Sequence, residues 1–225
     1  MPNKTLQAYK TLKDFIVRSK ILPGERIYLE DLAKTLNLSL TPLREALNRL
    51  SQEDLVTHVV NRGYTLRVIT NDEVRELFEF CEALEIYAIE RAVKSIEALD
   101  LMELEKNLME YKKIMELRYF QERFFTNNEF HMKIVKLGGN QLIVNSMERV
   151  FERLAFRVRL ENFSGTRGSE VYAEHLAIYN ALNSRDVRMA IHAMRDHIVK
   201  SKEFVLGELQ TKEDYLASLS RTDTR

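Results

Sequence analysis

From residue 71 to the end of the chain there is no proline, and glycine occurs only at scattered positions. Proline interrupts helices, and turns between strands consume glycine and proline, so such a stretch favours long helices. The helix-favouring types Leu, Glu, Lys, Arg, Ala and Met are abundant throughout the chain. The sequence therefore predicts a mainly α-helical protein, with an antiparallel helical bundle over residues 71–210 and a frayed polar tail over residues 211–225.

The apolar periodicity divides this bundle into six or seven helices. Asn71 or Asp72 is expected to cap the first, and the predicted inner stripe of this helix consists of Val74, Leu77, Phe78, Cys81, Leu84, Ala88 and Ala92. The following helices are predicted near residues 98–118, 119–137, 140–161, 170–183 and 187–209.

Composition excludes several classes of protein. With 45% hydrophobic and 30% charged residues, the chain of 225 residues is neither disordered nor collagen-like. It has no uncharged apolar run of about 18 residues, and its charged N-terminus lacks the apolar core of a signal peptide. We therefore expect a cytoplasmic protein without a membrane partner. The single cysteine, Cys81, excludes an internal disulfide and any metal site built from several cysteines.

Charge is divided unevenly along the chain, although the formal net charge is zero. Residues 1–70 contain 11 Lys and Arg against 7 Asp and Glu, whereas residues 71–225 contain 23 against 27. A basic N-terminal part followed by an acidic part is typical of a nucleic-acid-binding domain joined to a different module.

The first 70 residues follow the pattern of three helices and a β-hairpin. Apolar residues at helical spacing predict helices over residues 5–20 and 29–36. A third helix is predicted with Thr41 as its N-cap and Pro42 as its first helical residue, because both residue types are favoured at these positions. Two alternating segments on either side of residues 61–63 predict a hairpin in which Gly63 adopts a positive φ. These elements predict a winged helix-turn-helix domain over residues 1–70.

The third helix has an apolar stripe on one side and a polar face on the other, as a DNA-recognition helix does. On the polar face, Arg44 and Arg49 are suited to donate to guanine edges or phosphates. Thr41 and Asn48 are suited to add shorter contacts, and Arg62 in the hairpin is suited to contact the DNA backbone. The same pattern also fits a helix-turn-helix that serves only in packing and exposes solvated charges.

Residues 23–56 resemble the N-terminal signature of GntR-type bacterial transcription regulators, including the core Ser-x-Thr-Pro-x-Arg-Glu-Ala-Leu at residues 39–47. The resemblance implies DNA contacts from Ser39, Thr41, Arg44 and Arg49, with Gly63 as the glycine of the wing. Leu40 stands where many members of the family have an arginine. One phosphate or base contact is therefore expected to be missing, which alters the affinity, its salt dependence or the preferred operator.

Three of the five histidines lie on apolar faces of three different predicted helices. They are His131, His175 and His197, and Asn127 shares the face of His131 because it precedes it by four residues. One inward imidazole is usually a hydrogen-bonded core residue, but burying three costs roughly a few kcal/mol unless one partner satisfies them together. A divalent zinc, nickel, copper, cobalt or iron ion meets this need, and its open positions can take water or a small carboxylate. The histidines expected to be ordinary surface residues are His58 and His192.

The same region resembles the ligand-binding domain of the FadR branch of the GntR family, over residues 127–131, 139–140, 174–175, 186 and 197. In metal-binding members of that branch, an aspartate four residues before the first histidine joins three histidines. The resemblance thus implies a metal ion held by Asn127, His131, His175 and His197, and we expect this divalent ion to be zinc or nickel. Because Asn127 replaces the aspartate with a weaker neutral ligand, either the metal affinity is lower or an anionic effector or water balances the charge.

A second departure concerns Cys81, at a position where many relatives place an arginine that holds the carboxylate of an effector. One interpretation is that Cys81 lines the effector pocket and that Arg153 or Arg157 supplies the missing cation. The other interpretation, which the residue type favours, is that Cys81 is a small buried hydrophobe.

Together these features predict a homodimeric regulator, expected to be a repressor, that binds a near-palindromic DNA operator and responds to a small carboxylate at a metal centre. An enzyme is not expected. One alternative is the same regulator without a metal, with the histidines binding the effector directly. A remoter alternative is a three-histidine metallohydrolase, against which we expect no carboxylate to lie beside the histidines as a general base.

Overall fold

A computed structural model describes residues 4–18, 21, 23–59, 63–115, 120–158 and 167–222 of the chain. Over these residues, nine helices and three short strands confirm the mainly α-helical prediction. The chain separates into two compact units that divide between Ile69 and Thr70, and residues 155–158 group with the first unit. A membrane-spanning helix would need a long stretch of apolar residues, and the helices of the described residues contain no such stretch.

The N-terminal unit combines three helices with a small antiparallel sheet. Its elements in chain order are α1 (Lys4–Arg18), β1 (Arg26–Ile27), α2 (Leu29–Leu36), α3 (Leu40–Gln52), β2 (Val56–Val59) and β3 (Gly63–Leu66). The strand order is β1-β3-β2, and the pairing of Arg26 with Thr65 adds an edge strand to the predicted hairpin. At two residues, β1 is too short to produce an alternating pattern in the sequence. The predicted winged helix-turn-helix is confirmed.

Helix α3 packs its predicted apolar stripe into the core of this unit. The four fully buried members of the stripe are Leu43, Ala46, Leu47 and Leu50. The helix begins at Leu40 rather than after Thr41, because Ser39 takes the extended N-cap conformation with φ −76° and ψ 156°. Pro42 is thus the third helical residue, where its missing N–H has no intrahelical partner to lose.

Six helices lie among the described residues after Ile69, and all of them except the last four residues of one belong to the C-terminal unit. They are α4 (Asn71–Ser95), α5 (Ala98–Ile114), α6 (Phe120–Leu137), α7 (Gln141–Val158), α8 (Arg167–Asn183) and α9 (Val187–Thr222). Helix α4 is capped by Thr70, whose Oγ1 accepts from the backbone N–H of Glu73 at 3.2 Å, rather than by one of the next two residues. Helix α9 continues to Thr222 instead of fraying after residue 210. Residues 208–222 contain no proline or glycine to end it.

The hydrophobic core of this unit draws on α4, α5, α6, α8 and α9. Its fully buried side chains include Ile89, Leu104, Phe130, Ile134 and Ile178. Polar and charged side chains are buried in the same unit, namely Glu85, Asn107, Arg123, Asn128, His131, Arg167, His175 and His197. Such groups are costly to bury without partners, so their concentration marks a place where function outweighs packing.

The first turn of α8 lies directly against the end of α5 at Gly168. A Cβ atom at Gly168 would lie 2.2 Å from the carbonyl oxygen of Met115 and 2.9 Å from Nη1 of Arg123. Only a residue without a side chain allows this approach. The glycine therefore fixes where α8 begins beside Arg123.

We predict that Gly168→Ala lowers the free energy of unfolding, measured by chemical denaturation, by about 1–3 kcal/mol because the backbone of Met115 must move. Gly207→Ala is the matched control, since Gly207 lies within α9 and an added Cβ would meet nothing within 4 Å. The control substitution is expected to stabilise the helix by about 0.5–1 kcal/mol. Equal effects of the two substitutions would contradict the close approach of α8 to α5.

Candidate metal centre and nucleic-acid interface

The polar face of α3 lies at the surface of the N-terminal unit. Its exposed residues include Ser39, Thr41, Arg44, Asn48 and Arg49. Leu40, at the position where an arginine would be usual, is 44% exposed. Arg44 forms no hydrogen bond or ion pair with any described residue, so its guanidinium group is available to a binding partner.

Two residues of this face are also engaged within the N-terminal unit. The guanidinium of Arg49 lies 4.0 Å from the centre of the Tyr9 ring, and its Nε donates to Glu53 at 3.2 Å. The hydroxyl of Tyr64 donates to Oδ1 of Asn48 at 2.5 Å. These contacts tie α3 to α1 and to β3, a structural role for Arg49 and Asn48 that the sequence pattern did not indicate.

The wing is described on both sides of its tip. Gly63 has a φ of +83°, in the left-handed region that glycine favours, as predicted. Arg62, the predicted contact to the DNA backbone, lies outside the described residues. His58 is exposed on β2 as expected, with its ring centroid 4.8 Å from that of Tyr64.

Three imidazoles from α6, α8 and α9 meet in the interior of the C-terminal unit. His131, His175 and His197 are 2%, 0% and 2% exposed. One ring nitrogen from each lies within 4.8 Å of the others, and the ring centroids are 4.6 to 5.2 Å apart. The structure thus brings the three inward histidines together, whereas His192 is exposed as expected.

Two carboxylates, the buried Glu85 and the partly buried Glu174, orient two of these imidazoles. Glu85 on α4 accepts from Nδ1 of His131, and Oε2 of Glu174 on α8 lies 2.8 Å from Nδ1 of His197. A carboxylate at Nδ1 favours a proton on that nitrogen, which leaves the two Nε2 atoms facing each other at 3.0 Å. The expectation that no carboxylate lies beside the histidines is wrong, because Glu85 and Glu174 lie on inward faces of their helices.

Glu174 is itself held by a guanidinium group. Arg167 donates from Nη1 and Nη2 to the two carboxylate oxygens, each at 2.8 Å. Burial raises the pKa of Glu174, but hydrogen bonds from His197 and Arg167 outweigh this effect and leave its pKa below the usual value. Arg167, Glu174 and His197 therefore form a hydrogen-bonded chain from the start of α8 to the histidine cluster.

His175 has no such support. Its ring stacks on Phe130 with centroids 4.2 Å apart and planes 10° from parallel, and neither ring nitrogen has a hydrogen-bond partner among the described residues. Burial lowers the pKa of His175 well below 6.5, and the neighbouring His197 and His131 add to the effect. The neutral ring thus offers a lone pair to the cluster, at a cost of about 1–3 kcal/mol for an unpartnered buried polar group.

The geometry of the three imidazoles fits a divalent ion. Metal–imidazole bonds of about 2.0–2.1 Å put two ligand nitrogens on one tetrahedral ion about 3.3–3.4 Å apart. The two Nε2 atoms at 3.0 Å are close to this separation, and nitrogens at the 4.8 Å outer limit of the cluster need to approach by roughly 1.4 Å. Imidazole ligands suit zinc, nickel, copper, cobalt and iron.

A cavity of about 90 Å³ lies beside the cluster. One water needs about 10–15 Å³ of such space, so the cavity admits a small organic molecule of several non-hydrogen atoms. Its apolar wall includes Phe78, Phe124, Phe151, Leu154, Val171, Phe204 and Val205. Its polar wall includes Cys81, Glu85, Arg123, Asn127, Asn128, His131, Arg167 and His197.

The arginine side chains that line the cavity differ from the two that the sequence suggested. Arg153 forms an ion pair with Glu73, and neither Arg153 nor Arg157 is among the described residues that line the cavity. The guanidinium groups that do line it belong to Arg123 and Arg167, which are 4% and 8% exposed. Arg153 is directed to the start of α4 because an acidic partner is available there.

Cys81 and Asn127 both line the cavity. Burial raises the pKa of the Cys81 thiol well above its usual range, and the charge of Glu85 raises it further. Cys81 is therefore both a buried neutral thiol and part of the cavity wall, which combines the two interpretations drawn from the sequence. Nδ2 of Asn127 donates to Oδ1 of Asn128 at 3.2 Å, and both amides lie on this wall although only Asn127 was expected there.

Helical spacing was the signal that identifies the missed residues. Arg123 precedes Asn127 by four residues and His131 by eight, so all three share one face of α6. Glu85 follows Cys81 by four residues and shares its face of α4 in the same way. This four-residue spacing from a predicted inward residue is the signal in the sequence for Arg123 and Glu85.

We predict that His175→Phe stabilises the metal-free protein by about 1–2 kcal/mol, because phenylalanine fills the same space and removes two unpartnered nitrogens. The measurement is the free energy of unfolding in the presence of a chelator. Because the pKa of His175 is below 6.5 in the folded chain, the unfolded chain binds more protons, and wild-type stability falls as the pH drops below that value. The variant is expected to lose this part of the pH dependence.

His192→Phe serves as the control, because His192 is exposed on α9. Its effect on the free energy of unfolding is expected to stay within about 0.5 kcal/mol. A His175→Phe variant less stable than the wild type would show that the ring nitrogens have partners in the folded protein.

Two family models match the chain. The model described as "Bacterial regulatory proteins, gntR family" matches residues 4–66, and the model described as "FCD domain" matches residues 76–200, more than half of the chain. The chain is 31% identical over 184 residues to the Nta operon transcriptional regulator of Aminobacter aminovorans, covering 82% of this chain and 86% of that protein. It is 26% identical over 212 residues to the HTH-type transcriptional repressor RspR of Escherichia coli (strain K12), covering 94% and 92%.

The fold is shared with a solved structure described as E. coli McbR/YncC. The TM-score is 0.82 at 22% sequence identity, over 93% of this chain and 100% of that chain. A crystal structure described as a GntR transcriptional regulator from Rhodococcus sp. RHA1 matches with a TM-score of 0.76 over 90% and 97%. Both the fold and the matched domains lead to the same family. The chain belongs to the GntR family of bacterial transcription regulators, in the FadR-like branch that carries an FCD domain.

Proposed function

We propose that this DNA-binding regulator is a repressor whose C-terminal unit binds a divalent metal ion and a small carboxylate effector. The observation that carries the proposal is the meeting of three buried imidazoles from three helices beside a cavity. A ligand that binds one conformation of the helices better than another shifts their equilibrium, and this shift changes the affinity for DNA. The name of RspR describes that relative as a repressor, which supports the direction of the effect.

On the DNA side, Arg44 is proposed to make the main base or phosphate contact of α3. Ser39 and Thr41 at the exposed start of the helix add shorter contacts. Exposed Leu40 offers an apolar contact in place of a charge, so fewer phosphates are neutralised. A homodimer with two-fold symmetry would place two such helices on a near-palindromic operator. The cytoplasm, where the operator is located, is the proposed site of action.

On the ligand side, zinc or nickel is proposed to bind through His131, His175 and His197, with the neutral amide of Asn127 as a fourth group. Three imidazoles carry no charge, so an ion bound there supplies a positive centre with open positions for an anionic oxygen. Buried Arg123 and Arg167 add positive charge to the same cavity. A small carboxylate with an apolar body fits this combination of charge, aromatic wall and volume.

The competing interpretations are decided by different observations. In a regulator without a metal, the imidazoles would bind the effector directly, and metal analysis separates this from the proposal. The metallohydrolase alternative does not apply, because the relatives of this chain are transcription regulators, even though two carboxylates lie beside the histidines.

We predict that Arg44→Ala weakens binding to a DNA duplex from the region upstream of the protein's own gene by at least about tenfold. If Arg44 contacts a phosphate, the slope of the logarithm of affinity against that of salt concentration also falls by about 0.9. The measurement is fluorescence anisotropy over a range of salt concentrations. Arg195→Ala is the control because Arg195 is an exposed arginine of α9 that pairs with Glu82. Equal affinities of both variants would reject α3 as the DNA-reading helix.

We predict that purified protein without a His tag, reconstituted with zinc and dialysed, retains about one ion per chain by mass spectrometry. His131→Ala is expected to reduce this content below about a tenth, since it removes one of three ligands. His192→Ala changes an exposed histidine of the same unit and should retain the ion. Wild-type protein that stays essentially metal-free after reconstitution would favour the regulator without a metal.

A further inference from the structure

Glu85 is a buried carboxylate whose charge is not balanced by a basic side chain. It is 2% exposed, and its partner is Nδ1 of His131. Among the described residues, neither lysine nor arginine forms an ion pair with it. Because a buried carboxylate loses its hydration, a positive charge nearby is needed to compensate for that loss. The centre formed by the three imidazoles offers a place for such a charge, because Nε2 of His131 faces Nε2 of His197 there.

Glu174, the other carboxylate of the site, is in a different position. It contacts His197 in the same manner at 2.8 Å, but Arg167 binds both of its oxygens and Nζ of Lys200 lies 3.8 Å away. The charge of Glu174 is therefore already balanced by basic residues. The contrast singles out Glu85 as the group whose charge the protein itself leaves unmatched.

We propose that Glu85 is the charge-balancing and positioning residue of the metal centre, acting on the ion through His131. The inference rests on the proposed metal binding and adds a residue from α4 to a site otherwise built from α6, α8 and α9. By accepting from Nδ1, Glu85 directs the Nε2 lone pair of His131 toward the centre and makes that nitrogen more basic. Asn127 is neutral and gives the centre no negative charge. Glu85 supplies that charge through the His131 ring, because it contacts Nδ1 while Nε2 faces the centre.

A plainly structural role predicts a different behaviour. If Glu85 served only to hold a protonated His131 in a buried ion pair, its charge would stabilise the protein without any metal. If Glu85 instead balances the charge of a metal ion, its negative charge destabilises the metal-free protein and stabilises the protein only when an ion is bound. The two roles therefore give opposite signs for the effect of removing the charge from the metal-free chain.

The test is Glu85→Gln, which keeps the length of the side chain and an oxygen that accepts from Nδ1 but removes the charge. Zinc affinity, measured by competition with a chromophoric chelator, is expected to fall about 10- to 100-fold. The melting temperature of the metal-free variant is expected to equal or exceed that of the metal-free wild type. With cobalt(II) as a spectroscopic probe, the visible absorption bands of the complex are expected to shift, because the donor strength of His131 changes.

Glu82→Gln is the matched control, because Glu82 lies one turn earlier on α4 and pairs with the exposed Arg195 at 3.1 Å. Its zinc affinity is expected to stay within about twofold of the wild type. A zinc affinity of Glu85→Gln within threefold of the wild type, or a metal-free variant that melts lower or fails to fold, would overturn the role of Glu85. A wild-type protein that binds no ion would instead overturn the proposed metal site, and this inference with it.

Discussion

The burial of three imidazoles at one point in the C-terminal unit is the constraint on which the rest of the site depends. Each ring comes from a different helix and is at most 2% exposed, so α6, α8 and α9 must all supply polar groups to an apolar interior. Two of the rings are satisfied by Glu85 and Glu174, and the third has no partner among the described residues. A core of this kind is less stable than an apolar one unless a ligand completes it.

The carboxylates and guanidinium groups follow from that constraint. Glu174 needs the bidentate hydrogen bonds of Arg167 because its charge is largely removed from water. Arg167 in turn lies at the start of α8, where Gly168 allows the helix to approach the end of α5. Packing, charge balance and the position of the cavity are therefore linked through a few residues, and a change in one of them acts on the others.

Much of this arrangement follows from the sequence alone. Helical spacing placed His131, His175 and His197 on inward faces. The alternation of apolar and polar residues on either side of Gly63 indicated the wing. The spacing shows that Glu85 and Arg123 share faces with Cys81 and Asn127, but it does not show how deeply they are buried or which groups they contact, because both depend on residues from other parts of the chain. The extension of α9 and the two-residue strand β1 were missed because neither leaves a periodic signal of its own. The contact of Arg49 with the ring of Tyr9 on α1 is likewise non-local.

The central claim, that the three imidazoles together hold one ion, is tested most directly by X-ray absorption spectroscopy of the zinc-reconstituted protein. The account predicts a first shell that contains three histidine nitrogens at about 2.0–2.1 Å, identified by the multiple scattering of their rings. A shell made only of oxygen ligands, or one with a single imidazole, would contradict it.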